Sequence, residues 1–377
     1  MAHAPPLPRV TPPRPLRVLH VDAARDWRGG ERQLLLLALG LRERGVEPLV
    51  AGRPVSPLLQ RCKAEGIATA AIPMRNDLDL LAVRRLRRLL VTWRPDVVHA
   101  HDSRGHSLAL AALLGRGSTP LVVTRRSAER PRGRLRYGPR VARFIAISGA
   151  VRDALQAGGV AADRITVAYP GVAVRTTEHG RDWRRECGWP AQTLVAGLVG
   201  PLARERDAVA LERLLAEVPP SIADRLGLVV LGGHASGRTA IGGVRAFRAG
   251  FVHEVPQALG GLDLLLHPGG AEGLGTAVVE AMALGVPTIA FAEGGLGEVI
   301  EDGRNGILVP PGDAAAFAHA LGGLVEAPEA LTRLAAAGPG RAAHFGPDRM
   351  VTALLTTYRE LAERSGARRD ISVWSDP

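Results

Sequence analysis

The chain has 377 residues, 46% of them hydrophobic, and a formal net charge of +11. That length exceeds what one compact core organises and implies two domains; no apolar run reaches the roughly 18 residues of a membrane span, and the start MAHAPPLPRVTPPRPLR lacks an apolar h-region, so a cytosolic, soluble chain is expected. The charge is almost all arginine, Lys63 being the single lysine, aromatics are 4%, and no stacking aromatics alternate with basic residues, which argues against a nucleic-acid partner.

Short β-branched runs alternate with amphipathic helical patterns, the signature of parallel sheets covered by helices on both faces. RVLHVD (17–22) reads as the first strand, ERQLLLLALGLRER as a helix, VEPLVA and IATAAI as strands, LLAVRRLRRLLVTW as a helix, and PDVVHAH as a strand ending in two histidines. Next come PLVVT, the arginine-rich RRSAERPRGRLRYGPR, the strand RFIAIS, the helix AVRDALQAGG and the strand RITVAY. TLVAGLVG (193–200) opens a second βα series. The economical reading is α/β with two Rossmann-like, doubly wound halves. The expected boundaries are a disordered Pro-rich start (1–15), an N-terminal domain (16–173), a polar linker (174–192), a C-terminal domain (193–346), a helix (347–366) returning to the N-terminal domain, and a frayed tail (367–377).

The first strand leads into AARDWRGGERQ and not into Gly-x-Gly-x-x-Gly, and no well-placed ribose-binding acid stands about 20 residues on, which argues against a dehydrogenase. Gly29 and Gly30 instead precede a long helix, where small residues let a phosphate or sugar approach the backbone amides; a plain turn gives the same sequence. Cys62 and Cys187 have neither metal-ligand spacing nor disulfide density and read as reduced thiols.

In AEGLGTAVVEAMALG a helix is expected to begin near Leu274, with Glu272 in the turn before it and Glu280 about two turns along. An eight-residue offset sets the carboxylates roughly 80° apart around the axis and about 10 Å apart along it, a span suited to the two ends of one elongated polar ligand. The amides of Gly273, Leu274, Gly275 and Thr276 lie between them, where a diphosphate fits. Dipole complementation by Glu272 and a solvated Glu280 is the plain alternative.

The chain resembles the retaining glycosyltransferase family four, enzymes of the GT-B fold, over nearly its whole length. The motifs that carry the likeness are RGGERQLLLLALGLRERG, PDVVHAH, FIAISGAVRDAL, ITVAYPGV, GPLARERD, and the acid pair joined to GVPTIAFAEGGLGEVIEDGRNGILVPPGD. The resemblance implies two Rossmann-like domains facing across a cleft, the nucleotide-diphosphate sugar held mainly by the C-terminal one and the acceptor by the N-terminal one. It implies that Glu272 contacts the transferred sugar and Glu280 the nucleotide ribose. The family's diphosphate grip is Gly-Arg-Leu, three residues, then Lys-Gly; here Pro201 replaces the arginine, Arg206 falls at the lysine position, and Arg204 is placed to lend its guanidinium. Charge developing on the leaving diphosphate would then be met by protein groups, with no cofactor and no metal.

His99 and His101 are read as alternating along a strand end, so that one of them faces the cleft. The family places a sugar-contacting histidine at the second position, which assigns His101 to the reacting sugar and leaves His99 in the sheet. Pro170 in YPGV stands where the family usually has asparagine. Asp77 and Asp79 form an Asp-x-Asp before a helix and read as capping residues. The stretch from Arg125 to Arg143 holds eight arginines, one acid and Tyr137. It is either an acceptor-side surface, with Arg125, Arg126 and Tyr137 toward a lipid-linked or cell-envelope glycan at an anionic membrane, or a consequence of the compositional bias.

The expectation is therefore a cytoplasmic sugar transferase, peripheral at the inner face of the membrane. The alternatives are a GT-B-fold sugar-nucleotide epimerase and a degenerate, non-catalytic sugar-nucleotide-binding protein, the latter motivated by Pro201.

Overall fold

The computed structural model describes residues 14–115, 119–131, 133, 136–173, 180–200, 205–269 and 273–366; of residues 205–207 and 234 only the backbone is described. The expected disordered start (but for residues 14 and 15) and the frayed tail thus lie outside the described residues. Two compact units are present, one comprising residues 1–124, 134–143 and 354–377 and the other residues 125–133 and 144–353.

The first βα series runs β1 (Arg17–Val21), α1 (Gly29–Glu43), β2 (Glu47–Gly52), α2 (Pro57–Ala64), β3 (Ala68–Ala71), α3 (Leu80–Trp93), β4 (Val97–Ala100), α4 (Ser103–Leu113), β5 (Leu121–Arg125), β6 (Val141–Ala146), α5 (Gly149–Ala157) and β7 (Ile165–Val167). Its strands form a seven-stranded sheet in the order β3-β2-β1-β4-β5-β6-β7, with His20 of β1 in register with His99 of β4. Local chemistry sets the helix starts: Ser56, Asp79, Asp102 and Ser148 each place a side-chain oxygen on an amide of the first turn of α2, α3, α4 and α5. Among the described residues, Leu34, Ala38, Val50, Leu58, Leu59, Cys62 and Ile67 make one apolar cluster in the first unit, where each buried large aliphatic side chain contributes about 1.5–3 kcal/mol.

The second series is α6 (Trp183–Cys187), β8 (Leu194–Val199), α7 (Glu205–Ala216), α8 (Pro220–Ala223), β9 (Leu226–Ile241), β10 (Val244–Gly250), α9 (Val255–Gly260), β11 (Leu264–His267), α10 (Thr276–Ala283), β12 (Thr288–Phe291), α11 (Leu296–Val299), β13 (Gly306–Val309), α12 (Ala314–Glu326), α13 (Pro328–Ala342) and α14 (Pro347–Arg364). The six-stranded sheet has the order β10-β9-β8-β11-β12-β13. Both sheets are of the expected parallel, Rossmann-like kind, with one departure: the edge strand β10 is antiparallel to β9. Leu211, Leu214, Leu228, Val230, Leu266, Ile289, Phe317 and Leu321 are central to its core. Within the stretch read as a linker, α6 buries Trp183, whose indole N–H donates to the Ala258 carbonyl at 2.9 Å.

Candidate active site

The motif carrying the acid pair sits where β11 leads into α10. Glu272 lies outside the described residues, and the separation of the two carboxylates with it. The helix begins at Thr276, two residues later than expected, because Gly275 takes the left-handed conformation (φ 82°) as its N-cap. Glu280 is therefore about one turn into the helix, half-buried, not two turns along. Gly275 brings no side chain to the helix start, and the amides of Thr276 and Ala277 donate to nothing among the described residues. Leu274 is 1% exposed, so only its backbone is available to a ligand.

Glycines wedge this turn in place. A Cβ on Gly273 would stand 2.0 Å from the Arg126 carbonyl oxygen and 2.7 Å from Ile147, and one on Gly295 would stand 2.3 Å from the Gly273 carbonyl oxygen. The turn therefore packs against the chain leaving β5 and β6 and against the loop after β12. Beside it, Glu298 of α11 accepts hydrogen bonds from the amides of Gly149 (2.8 Å) and Ala150 (3.0 Å) and from the Tyr169 hydroxyl (2.8 Å). It meets the positive end of α5, and burial together with the Glu298 carboxylate pushes the Tyr169 hydroxyl up to about 12. Sequence reasoning missed Glu298; its place in GGLGEV beside a glycine pair was the available signal.

Arg204 and Pro201 lie outside the described residues. Arg206 stands in the first turn of α7, and its side chain is likewise outside them.

In the first unit, His99 Nδ1 hydrogen-bonds the Tyr358 hydroxyl at 2.5 Å and its Nε2 the Thr124 hydroxyl at 2.7 Å. His101 is 4% exposed and its Nε2 lies 3.0 Å from His20 Nδ1. The expectation that the two histidines of PDVVHAH turn opposite ways is corrected here: residues two apart in extended chain share a face, and the rings stand 4.0 Å apart. His20 escaped sequence reasoning although RVLHVD contains it. Complete burial pushes its imidazole down to about 3, so it is neutral, and its Nε2 has no partner among the described residues. Ligand atoms of His20, His99 and His101 all lie within 4.8 Å of one another. A cation there would have to displace Tyr358 or Thr124 from His99.

Around this cluster, Asp102 caps α4 and also accepts from the Ala23 amide at 3.0 Å. A cavity of about 390 Å³ opens beside it, lined by Arg25, Arg28, Glu31, Asp77, Ser103 and Arg104 among others. Gly29 and Gly30 are the first two residues of α1, next to this cavity, with the Arg28 amide donating to Glu31 at 2.8 Å. The capping role read for both aspartates holds for Asp79, which accepts from the Ala82 amide at 3.0 Å; Asp77 instead faces Arg104 (3.5 Å) and Arg136 (3.6 Å). Tyr137 packs edge-on to His106, Arg125 donates to the Glu129 carbonyl, and the Arg126 carbonyl lies close against Gly273.

Comparison with known proteins reports on both halves of the chain. A family profile described as Glycosyltransferase Family 4 matches residues 27–175, and one described as Glycosyl transferases group 1 matches residues 193–327. A 2-deoxystreptamine N-acetyl-D-glucosaminyltransferase of Streptomyces fradiae is 30% identical over 86% of this chain and 89% of its own. A D-inositol 3-phosphate glycosyltransferase of Streptomyces scabiei is 28% identical over 52% of this chain; the match spans about half (48%) of that relative's length, as it does (50%) for one from Stackebrandtia nassauensis. Among solved structures, Anabaena HepE in complex with UDP superposes with a TM-score of 0.76 at 21% identity, covering 92% of this chain and 100% of that one. Sucrose-phosphate synthase from Thermosynechococcus elongatus does so with a TM-score of 0.75 at 18% identity, covering 93% and 100%. These two likenesses speak for the fold.

Proposed function

Because this chain belongs to the group 1 glycosyltransferases of family four, we propose that it moves a sugar, with retention of configuration, from a nucleotide-diphosphate sugar to a lipid-linked or cell-envelope glycan acceptor. The observation that carries this reading is the start of α10: two amides without acceptors among the described residues, at the positive end of a helix, held by glycine contacts inside the acid-pair motif. Such a start suits a diphosphate. The UDP bound by Anabaena HepE and the transferase names of the relatives support a nucleoside-diphosphate leaving group.

In this mechanism Glu272 holds the transferred sugar and Glu280 the ribose, while Arg206, aided by Arg204, neutralises charge on the leaving diphosphate without a metal ion. The leaving phosphate assists attack by the acceptor hydroxyl on the same face of the sugar. The acceptor is taken by the first unit, at the cavity bordered by Arg25, Arg28 and Arg104, with Tyr137 of the same unit on the acceptor side. His101, held by His20, contributes near the sugar from that unit. The protein works in the cytoplasm, peripheral at the inner face of the membrane.

The test is thermal stabilisation by a panel of nucleotide-sugars and then transfer assays, since a ligand at a hundred times its dissociation constant adds about 2.7 kcal/mol. Stabilisation by one donor and acceptor-dependent release of its diphosphate are expected. Stabilisation by none would favour a degenerate protein, and donor epimerisation without acceptor would favour an epimerase.

A further inference from the structure

The described part of the chain has nine exposed large hydrophobic side chains, and five of them, Val55, Leu78, Leu80, Leu81 and Val91, belong to the loops after β2 and β3 and to α3. Scattered single residues of this kind are ordinary on a soluble protein, but Leu78 (85% exposed), Leu80 (77%) and Leu81 (51%) fall within four positions. The parallel strands bring both loops to one edge of the sheet, and the Arg53 guanidinium ties them together by donating to the Met74 carbonyl. Val55, 82% exposed, has a φ of 61°, a left-handed conformation that strains a β-branched residue and turns its side chain outward.

Helix α3 continues this tip as a two-faced rod. Ala82, Val83 and Leu86 are buried, and Arg87 reaches the Ala111 and Ala112 carbonyls at the end of α4. Leu81, Arg84, Arg85, Arg88 and Val91, at helical spacing, are exposed along one stripe. Arg84, Arg85 and Arg88 pair with no carboxylate among the described residues, while the nearby acids are engaged, Asp79 in capping and Asp77 with Arg104 and Arg136. Arg53, besides being partly buried, is pulled below its usual value by Arg25 and Arg104, which marks this edge as positive.

We propose that this tip is a docking face for an anionic lipid bilayer: Val55, Leu78 and Leu80 enter the boundary between headgroups and acyl chains, and Arg84, Arg85 and Arg88 lie on lipid phosphates. It deepens the proposed function, and rests on it only for its purpose, the delivery of a lipid-linked acceptor to a neighbouring cavity. No helix among the described residues is long and apolar enough to cross a membrane, so the contact is made from one side.

The full chain is to be sedimented with vesicles of phosphatidylcholine alone and with one third phosphatidylglycerol, at low and at 0.5 M salt. Binding to the anionic vesicles, weakened by salt, is expected. Each arginine near such a surface strengthens partition roughly fivefold, so the triple variant Arg84→Glu, Arg85→Glu, Arg88→Glu should lose at least a hundredfold. Leu78→Ser with Leu80→Ser should lose about tenfold or more. Both variants should keep the melting temperature and the stabilisation by nucleotide-sugar. No binding by the wild type, or undiminished binding by either folded variant, overturns the proposal. A dimer in sedimentation velocity that the leucine variant dissociates, with no vesicle binding, would assign the face to a second copy. Vesicle binding by a protein that no nucleotide-sugar stabilises would leave docking standing and remove the transferase reading.

Discussion

Tyr358 and His99, separated by 259 residues in sequence, share a hydrogen bond of 2.5 Å in a fully buried setting, with Thr124 on the opposite ring nitrogen of His99. Tyr358→Phe keeps the ring and removes the hydroxyl, leaving His99 Nδ1 buried without that partner. A loss of about 1–3 kcal/mol in chemical denaturation is expected. An unchanged midpoint would show that the bond contributes nothing net.

His20 makes the protein sensitive to acid. Its folded-state value is depressed to about 3 from 6.5 by burial, so the unfolded chain takes up a proton that the folded chain refuses. This group costs no stability well above pH 6.5 and lowers stability as pH falls toward 3, the loss reaching about 2 kcal/mol at pH 5. His20→Gln cannot titrate and should flatten this part of the stability profile measured between pH 7 and pH 4. A profile as steep as that of the wild type would assign the acid sensitivity elsewhere.

Gly273→Ala should damage the proposed donor site directly. The added methyl group meets the Arg126 carbonyl oxygen at 2.0 Å, so the turn must move. A cost of about 1–3 kcal/mol and loss of stabilisation by nucleotide-sugar are expected together. Retained donor binding would show that the donor does not use this turn.

The two acids should separate in kinetics. Glu272→Ala is expected to abolish transfer in a folded protein, whereas Glu280→Ala should raise the donor KM more than it lowers kcat, because ribose contacts are alike in ground and transition states. Arg206→Ala should slow turnover by about 10² to 10³ and Arg206→Lys should recover part of it. Loss of activity with a chelator would contradict the metal-free arginine grip.

Glu298→Gln offers one carbonyl oxygen where two carboxylate oxygens now accept from Gly149, Ala150 and Tyr169, and should cost about 1–2 kcal/mol. Tyr169 is raised to about 12 from 10, so its contribution holds below pH 10 and fades as pH rises toward 12. Tyr169→Phe should remove that alkaline component from melting curves recorded between pH 9 and pH 12.

Strands and helices with strong periodicity were legible: LLAVRRLRRLLVTW is α3 residue for residue, and RVLHVD gives β1 to within one position. α4 was not singled out, because SRGHSLALAALLG carries few polar residues to betray a helical stripe; its start is set by Asp102. The antiparallel β10 was hidden for a different reason. A hairpin turning at Gly242 and Gly243 has the same β-branched content as a parallel strand, and direction is not encoded in composition. At the site, the glycine turn was found from its motif. The partners that fix it, Arg126, Ile147 and Gly295, lie outside the motif's own turn in sequence and are joined to it only by packing. His20 required strand register, which a single strand cannot supply.

The discontinuous first unit has a consequence for synthesis. Its residues come from both ends of the chain, since Leu354 and the residues beyond it complete what begins at Met1. The second unit's long stretch must be translated in between, about two hundred residues, which at 5–20 residues per second takes roughly 10–40 s. Throughout that interval the nascent sheet carries His20 and His99 without Tyr358, and a ribosome stalled before codon 358 would release a chain whose first unit cannot close. The N-terminal half is thus the earlier to be made and the later to be finished, and it is the half in which a chaperone should be found on the ribosome.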